Sequence, residues 1–253
     1  MSLVFKILVY IYSFISFFER KVFVKNIKRE DLVLDVGSGD KPFWRADVIV
    51  DKYLQDDQQR HSGAMLYDSR KVFVKADVEN LPFKDKVFDF VFCSHLLEHV
   101  KNPDKAIREL TRVAKRGYIE VPNAILDLLQ PFPPHLWFPF YKEGKLTFVQ
   151  KEKEKNFYVE VVEQFGKIFY INSLFKFLMA VNLKQVFIML YWNDKVNFGV
   201  KRVTEPYVYI FRKENHKKGV YEKLSFIFYR LFYKIVTLFY YNEKKIEVKQ
   251  LLK

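Results

Sequence analysis

Leu32-Val-Leu-Asp-Val-Gly-Ser-Gly-Asp-Lys-Pro42 is a short apolar run that stops on an acid and then breaks into glycines. Leu32, Val33, Leu34 and Val36 predict a strand buried on both faces, and Gly37 and Gly39 permit a turn that brings bare backbone close to a ligand. Such a strand and turn can build a nucleotide-type pocket, but glycine turns after strands also occur as turns and nothing more. The residues that follow at fixed distances decide between the two.

Ala46-Asp-Val-Ile-Val-Asp51 is a second apolar run that ends on an acid. The nine residues from Gly37 to Arg45 are near the minimum for a crossover between parallel strands, and Pro42 among them leaves room for a loop or a single helical turn. A dinucleotide-binding fold places a full helix here and its ribose acid ~20 residues beyond the glycines. Asp51 stands only twelve past Gly39, which argues against an NAD-dependent dehydrogenase.

Residues 52–70 are polar and aperiodic, a loop able to fold over a bound ligand. Val72 to Asp77 predicts a third strand, and Val78 to Phe83 a loop in which Pro82 stops any helix. Val87 to Cys93 is the most apolar strand and so the central one. A helix is expected to begin at Ser94 and run to Val100. Asn102-Pro103-Asp104 starts another, with Ala106, Ile107, Leu110, Val113 and Ala114 as its core stripe. Tyr118 to Val121 is a fifth strand, closed by Pro122-Asn123. This alternation predicts an α/β fold with a doubly wound, mainly parallel sheet, and Asp51, Asp77 and Ser94 end strands where ligands bind in such sheets.

Seven motifs now stand in order: Leu34-Asp-Val-Gly-Ser-Gly39, Asp51, Asp77-x3-Leu-Pro-Phe83, Phe88-Asp-Phe-Val91, Ser94-His-Leu-Leu-Glu-His99, Asn102-Pro-x2-Ala106-x2-Glu109-Leu110 and Val121-Pro-Asn123. Over residues 31–123 the chain resembles a class I S-adenosylmethionine-dependent methyltransferase. Within that superfamily it is most similar to the type 11 group, whose small-molecule enzymes include the ubiquinone-biosynthesis type. The resemblance implies a seven-stranded Rossmann-like sheet with an antiparallel last strand, and S-adenosyl-L-methionine as cofactor. Position by position it implies that Asp35, Gly37, Ser38 and Gly39 hold the methionine part. Asp51 would take the ribose hydroxyls, Asp77 and the Val78 backbone the adenine, and Ser94 the methionine end. The chemistry is compatible, since one carboxylate can accept both hydrogens of a cis-diol and another can accept from an amino group. The plain reading of Asp51 or Asp77 is a cap or turn acid. Asp89 is expected to be structural. Lys41-Pro42 replaces the third glycine of the usual motif, which puts the first helix in doubt.

His95-Leu-Leu-Glu-His99 also matches the H-x-x-E-H pattern of inverted zinc metallopeptidases, with His95, Glu98 and His99 in the named positions. Its place directly after a buried strand, inside the methyltransferase series, argues for a helix lining the substrate side and for no metal. The single cysteine, Cys93, excludes a disulfide framework and a cysteine-based zinc site, and fits a reducing cytoplasm.

Beyond residue 123 the resemblance thins. Leu129 to Phe140 is broken by prolines and rich in aromatics, unsuited to regular structure and placed where such enzymes form an acceptor lid, about residues 124–165. His135 and Trp137 lie within it. Lys145 to Lys155 is charged and expected to be exposed. Phe169 to Leu183 predicts a helix, and Val186 to Trp192 and Tyr207 to Phe211 the strands that close the sheet. Methyl transfer needs a base only for a weakly acidic acceptor. His95, His99 and His135 are candidates, with Glu98 or Glu120 behind them; His95 and His135 are taken as the catalytic pair.

The formal charge is +13, unevenly spread. Residues 1–30 carry six Lys/Arg against two Glu, residues 211–253 carry eleven against four, and the body between has a balance of only +2. Nucleic acid is therefore not the expected partner. The strand-four end also lacks the Asn/Asp-Pro-Pro-aromatic motif of enzymes that methylate exocyclic or amide nitrogens. Ile7 to Phe18 is twelve uncharged residues, short of the ~20 that span a bilayer. No small-residue cleavage site precedes Glu19-Arg20-Lys21. On a helix over 2–23, Lys6, Ser13, Ser16 and Arg20 form one polar stripe, and on a helix over 221–241 Lys223, Arg230, Lys234 and Thr237 form another. Either these helices pack on each other and on the body, or they lie on a membrane surface.

The chain thus divides into an apolar, basic N-terminal helix (1–30), a methyltransferase domain (31–213) and an amphipathic basic C-terminal helix (214–253). The expected activity is methylation of a small-molecule, lipid-linked or glycan-type acceptor in the cytoplasm, with peripheral contact at the inner membrane face. The alternative is a binding module that keeps the fold and cofactor without catalysis.

Overall fold

The computed structural model describes residues 3–53, 66–129, 132–153, 177–179, 181–208, 220–240 and 246–253. The chain opens with α1 (Leu3–Lys21) and enters the sheet through β1 (Val33–Val36), β2 (Val48–Asp51), β3 (Val72–Lys75) and β4 (Phe88–Ser94). Then come α2 (Pro103–Val113), β5 (Ala114–Pro122), α3 (Ala124–Leu129) and the hairpin β6 (Trp137–Lys142) and β7 (Lys145–Gln150). The last elements are α4 (Leu183–Val186), β8 (Phe187–Asn193), β9 (Phe198–Lys201), α5 (Val220–Tyr240) and α6 (Val248–Leu251).

The main sheet has the order β3-β2-β1-β4-β5-β8, with β1 to β5 parallel and β8 antiparallel to β5. It is the mixed α/β, largely parallel sheet expected. It has six strands among the described residues where seven were expected: Tyr207 and Val208 lie in no strand, and 209–211 fall outside the described residues. Most of the helix expected over Phe169–Leu183, and most of the 52–70 loop, also lie outside them.

Because side chains alternate along a strand, the sheet feeds two cores. On one face Leu34, Val36, Val48, Val50, Val91 and Cys93 pack against Ala106, Ile107, Leu110 and Val113 of α2, and against Leu81 and Phe83. Pro103 at the helix start and the i, i+3, i+4, i+7 stripe explain why α2 forms where it does. The opposite face carries Val33, Ile49, Phe90, Phe92 and Tyr118. The 37–45 connection carries no helix, as its length and Pro42 predict. Phe43 stacks on Phe92 instead, with ring centroids 4.3 Å apart, and Phe92 on Tyr118 at 5.4 Å.

A parallel sheet needs both faces covered, and here the flanking helices finish the second. The Tyr229 hydroxyl of α5 donates to the Pro42 carbonyl, and that of Tyr233 to Asp68 at 3.1 Å. Phe18 of α1 meets Phe232 of α5 edge-on at 5.1 Å, and Trp44 meets Phe232 at 6.5 Å.

Three expectations fail. Residues 95–100 form a turn, not a helix: His95 takes φ +55°, a left-handed conformation that no helix continues. The proline-broken 129–140 segment contains α3's end and strand β6. Pro139 is tolerated because β6 is the edge of the small sheet β6-β7-β9. Lys145–Gln150, expected to be exposed, buries Leu146 and Phe148 completely, because Lys145 and Thr147 take the alternate, outward positions of the strand.

Candidate active site

The glycine turn sits at the C-terminal end of β1. Gly37 has φ +74° and Gly39 φ +57°, both in the left-handed region that glycine adopts without strain. A Cβ on Gly39 would meet nothing within 4 Å, so the turn faces open space. Two buried polar atoms at this turn, Ser38 Oγ and Asp40 Oδ2, have no hydrogen-bond partner among the described residues. Unpaired buried polar atoms beside an open glycine turn are what a polar ligand would complete.

Asp35, one residue before the end of β1, is buried and accepts from the Phe43 amide at 2.7 Å. Burial pushes its carboxyl up to about 6. Asp51 ends β2 and accepts from the amides of Gly39 at 3.1 Å and Tyr53 at 2.8 Å, so it braces the glycine turn. Asp77 lies in the turn after β3, bonded to Lys52 Nζ at 2.7 Å and to the Glu79 amide at 2.9 Å, with Val78 buried beside it. Asp89 bonds the Leu32 amide at 2.9 Å, the structural role expected.

Ser94 ends β4 and donates to Glu120 Oε1 at 3.0 Å. Glu120 is fully buried on β5 and also accepts from Tyr118 at 2.6 Å and from Arg20 of α1 at 2.9 Å. Burial by itself would raise this carboxyl, but Arg20 and His95 together hold it far below the usual range. Arg20 also lies over the Phe187 ring at 4.1 Å. His95 Nε2 stands 3.1 Å from Arg20 Nη1 and 3.0 Å from Glu120 Oε1, and its Nδ1 stands 3.3 Å from Glu98. The neutral ring can accept from Arg20, and the protonated ring can donate to Glu120.

His135 lies on the other side of Glu98. Its Nδ1 is 2.7 Å from Asp127, and its ring stands 4.8 Å from that of His99. The backbone ties this segment down, with the Leu136 amide donating to the Glu98 carbonyl at 2.8 Å. The structure thus brings Asp35, Gly37, Ser38, Gly39, Asp51 and Ser94 to adjacent strand ends, with Asp77 and Val78 one strand further out. His95 and His135 flank Glu98. Arg20 and Asp127 were not foreseen. Arg20 is separated from Glu120 by 100 residues, and no local pattern announces such a pair.

Residues 48–119 match the protein family described as a methyltransferase domain. The match supports a class I, type 11-like methyltransferase domain, a class whose methyl donor is S-adenosylmethionine. Among curated proteins, it is 42% identical over 64 residues to a 2-phytyl-1,4-naphtoquinone methyltransferase of Nostoc punctiforme, covering 25% of this chain and 26% of that protein. It is 32% identical over 120 residues to a demethylmenaquinone methyltransferase of a Roseiflexus species, covering 43% of this chain and 49% of that one. The chain thus spans no more than about half the length of either relative. A solved S-adenosylmethionine-dependent methyltransferase of Thermotoga maritima, a possible histamine N-methyltransferase, aligns with TM-score 0.35 at 20% identity, over 47% of this chain and 56% of that one.

Proposed function

We propose that the protein transfers a methyl group from S-adenosylmethionine to a small amphiphilic acceptor at a membrane surface. The open glycine turn with its unpaired Ser38 and Asp40 oxygens carries the donor half of this reading. Asp35, Gly37, Ser38 and Gly39 would hold the methionine part, Asp51 the ribose hydroxyls, Asp77 and Val78 the adenine, and Ser94 the methionine end. The bound donor supplies an electrophilic methyl group, and the chain's own work is to hold the acceptor close and in line. For a weakly acidic acceptor, His135 is better placed than His95 to take a proton. Asp127 occupies His135 Nδ1 and leaves Nε2 without a hydrogen bond among the described residues, whereas both nitrogens of His95 already face charged partners. Residues 31–213 would form the catalytic domain, and α3 with the β6–β7 hairpin the acceptor lid within about 124–165.

The acceptor class rests on the flanking helices. Ser16 and Arg20 of α1 turn inward, while Ile7, Leu8, Ile11, Tyr12 and Ile15 stay 39–53% exposed. On α5, Tyr229, Tyr233 and Thr237 are buried, and Ile227, Phe228, Leu231, Ile235, Leu238 and Phe239 are 51–79% exposed. Two apolar stripes left outside, with Arg230 and Lys234 exposed beside the second, match the build of interfacial helices that lie on anionic lipid. No described helix is long and apolar enough to cross a membrane. Both curated relatives are named for quinones, which supports an amphiphilic ring acceptor.

Incubating the full chain with radiolabelled S-adenosylmethionine and separate lipid, glycan, protein and nucleic-acid fractions tests the reaction. Label is expected in the lipid fraction; label elsewhere changes the acceptor, and no donor binding by calorimetry sinks the reading. Leu231→Glu with Leu238→Glu tests the surface: flotation on anionic liposomes should be lost while the thermal midpoint holds. Flotation equal to the parent's removes α5 as a membrane contact.

A further inference from the structure

We infer that Glu98, His99 and His135 form a binding site for a divalent first-row transition cation of the zinc class. Each offers one donor atom, and the three atoms lie within 4.8 Å of one another. Glu98 is fully buried, yet neither carboxylate oxygen has a directed hydrogen bond among the described residues. An ionised carboxylate left so in a protein interior carries a desolvation penalty of several kcal/mol unless a positive charge meets it.

The imidazoles are oriented as donors. His135 Nδ1 faces the Asp127 carboxylate at 2.7 Å and His99 Nδ1 faces the Pro134 carbonyl at 3.2 Å. Both partners can only accept, so each ring carries its proton on Nδ1 and leaves a lone pair on Nε2. These two Nε2 atoms are the ones turned toward Glu98 Oε1, at 3.8 Å from His135 and 4.0 Å from His99. Donors bound at ~2.0–2.1 Å around a tetrahedral zinc stand ~3.4 Å apart, so closure needs about half an ångström at each Glu98–imidazole pair and at most ~1.4 Å at the widest separation. Outside the donors, Asp127 is itself paired with Lys151, and the carboxylate–imidazole–metal order is the usual way a protein fixes a ligating ring. His99 is 31% exposed, so a cation can reach the cluster from solvent.

Two imidazoles and one carboxylate suit zinc, cobalt, iron or manganese better than magnesium or calcium. The arrangement differs from the metallopeptidase pattern read in the sequence. That pattern pairs His95 with His99 on a helix, whereas here His95 is turned toward Glu120 and the second imidazole comes from the lid. Cation and proton compete for His135 Nε2, so the ring cannot serve as a base while it is a donor to the metal.

The inference stands apart from methyl transfer, because its readout is the metal itself. The full chain, stripped with chelator, is titrated with cobalt(II) and followed by visible absorption and elemental analysis. One equivalent with a low-symmetry cobalt band is expected. Glu98→Gln and His135→Asn should abolish the band, and Asp127→Asn should weaken binding about 10–100-fold. Asp194→Asn, an exposed acid just after β8, should leave it intact. No band at saturating cobalt, or a band of equal strength in Glu98→Gln, overturns the site. The Gln variant is nearly isosteric, so it keeps the test decisive if His135→Asn fails to fold, with circular dichroism as the check.

Discussion

Glu98 and Glu120 are both fully buried and both border His95, but their surroundings are opposite. Glu120 is met by Arg20, Ser94 and Tyr118 at 2.6–3.0 Å, a carboxylate whose desolvation the protein itself offsets. Glu98 faces three imidazole nitrogens at 3.3–4.0 Å and receives no directed hydrogen bond among the described residues. One acid closes the structure by fastening α1 to the sheet; the other has no comparable donor among the described residues.

The contrast is broken most directly at Arg20. Arg20→Met strands a buried charge, and urea denaturation should show a loss of ~3–5 kcal/mol. A loss under ~1 kcal/mol, the value of an exposed pair, would mean that Glu120 is satisfied without α1.

Acid behaviour separates Asp35 from Glu120 by sign. Asp35 has its folded pKa raised by burial to about 6, so its contribution is full below the unfolded value near 4 and is lost as pH rises through 6, ~3 kcal/mol in all. Glu120, depressed, contributes above the usual carboxylate range and loses that contribution as pH falls through it. Denaturation midpoints in Asp35→Asn should therefore flatten between pH 4 and 6, and those in Glu120→Gln should flatten only on the acid side. The same slope in Asp35→Asn as in the parent would disprove the assignment.

Gly37→Ala places a side chain at φ +74° with its Cβ 2.7 Å from Leu96 Cδ2, and should cost ~1–2 kcal/mol. Calorimetry should also show weaker S-adenosylmethionine binding, and unchanged affinity would take this turn out of the donor site. Smallest of all, Glu98→Gln without added cation should change stability by less than ~1 kcal/mol, since it removes a charge that no directed bond compensates. A loss as large as that at Arg20 would place Glu98 with Glu120 and end the contrast.

Much of the sheet was legible because its strands are local events. Val33–Val36, Val48–Asp51 and Phe88–Ser94 are apolar runs bounded by acids or glycines, and α2 announces itself by Pro103 and its stripe. The 95–100 turn was not legible, because Leu96, Leu97 and Val100 suit a helix and only the left-handed His95 rules it out. In β7 the alternation of Lys145, Leu146, Thr147 and Phe148 was masked by the lysines around it. For the flanking helices the side that each polar residue faces was not legible: on α5 Thr237 goes inward while Arg230 and Lys234 stay exposed. Where polar stripes usually meet water, Ser16 and Arg20 of α1 go inward, because a buried glutamate is there to receive Arg20.

By itself the sequence determined the parallel α/β body, the helix-free crossover after the glycine turn, and the family resemblance with its donor. These follow from hydrophobic period, chain length and fixed spacing, all of which act over a few residues. Only the tertiary structure decided that the terminal helices replace the missing cover of one sheet face, that Arg20 meets Glu120, and that His135 joins Glu98 and His99. These depend on contacts between distant residues, and the physics that selects them is the cost of burying a charge, which no local pattern records.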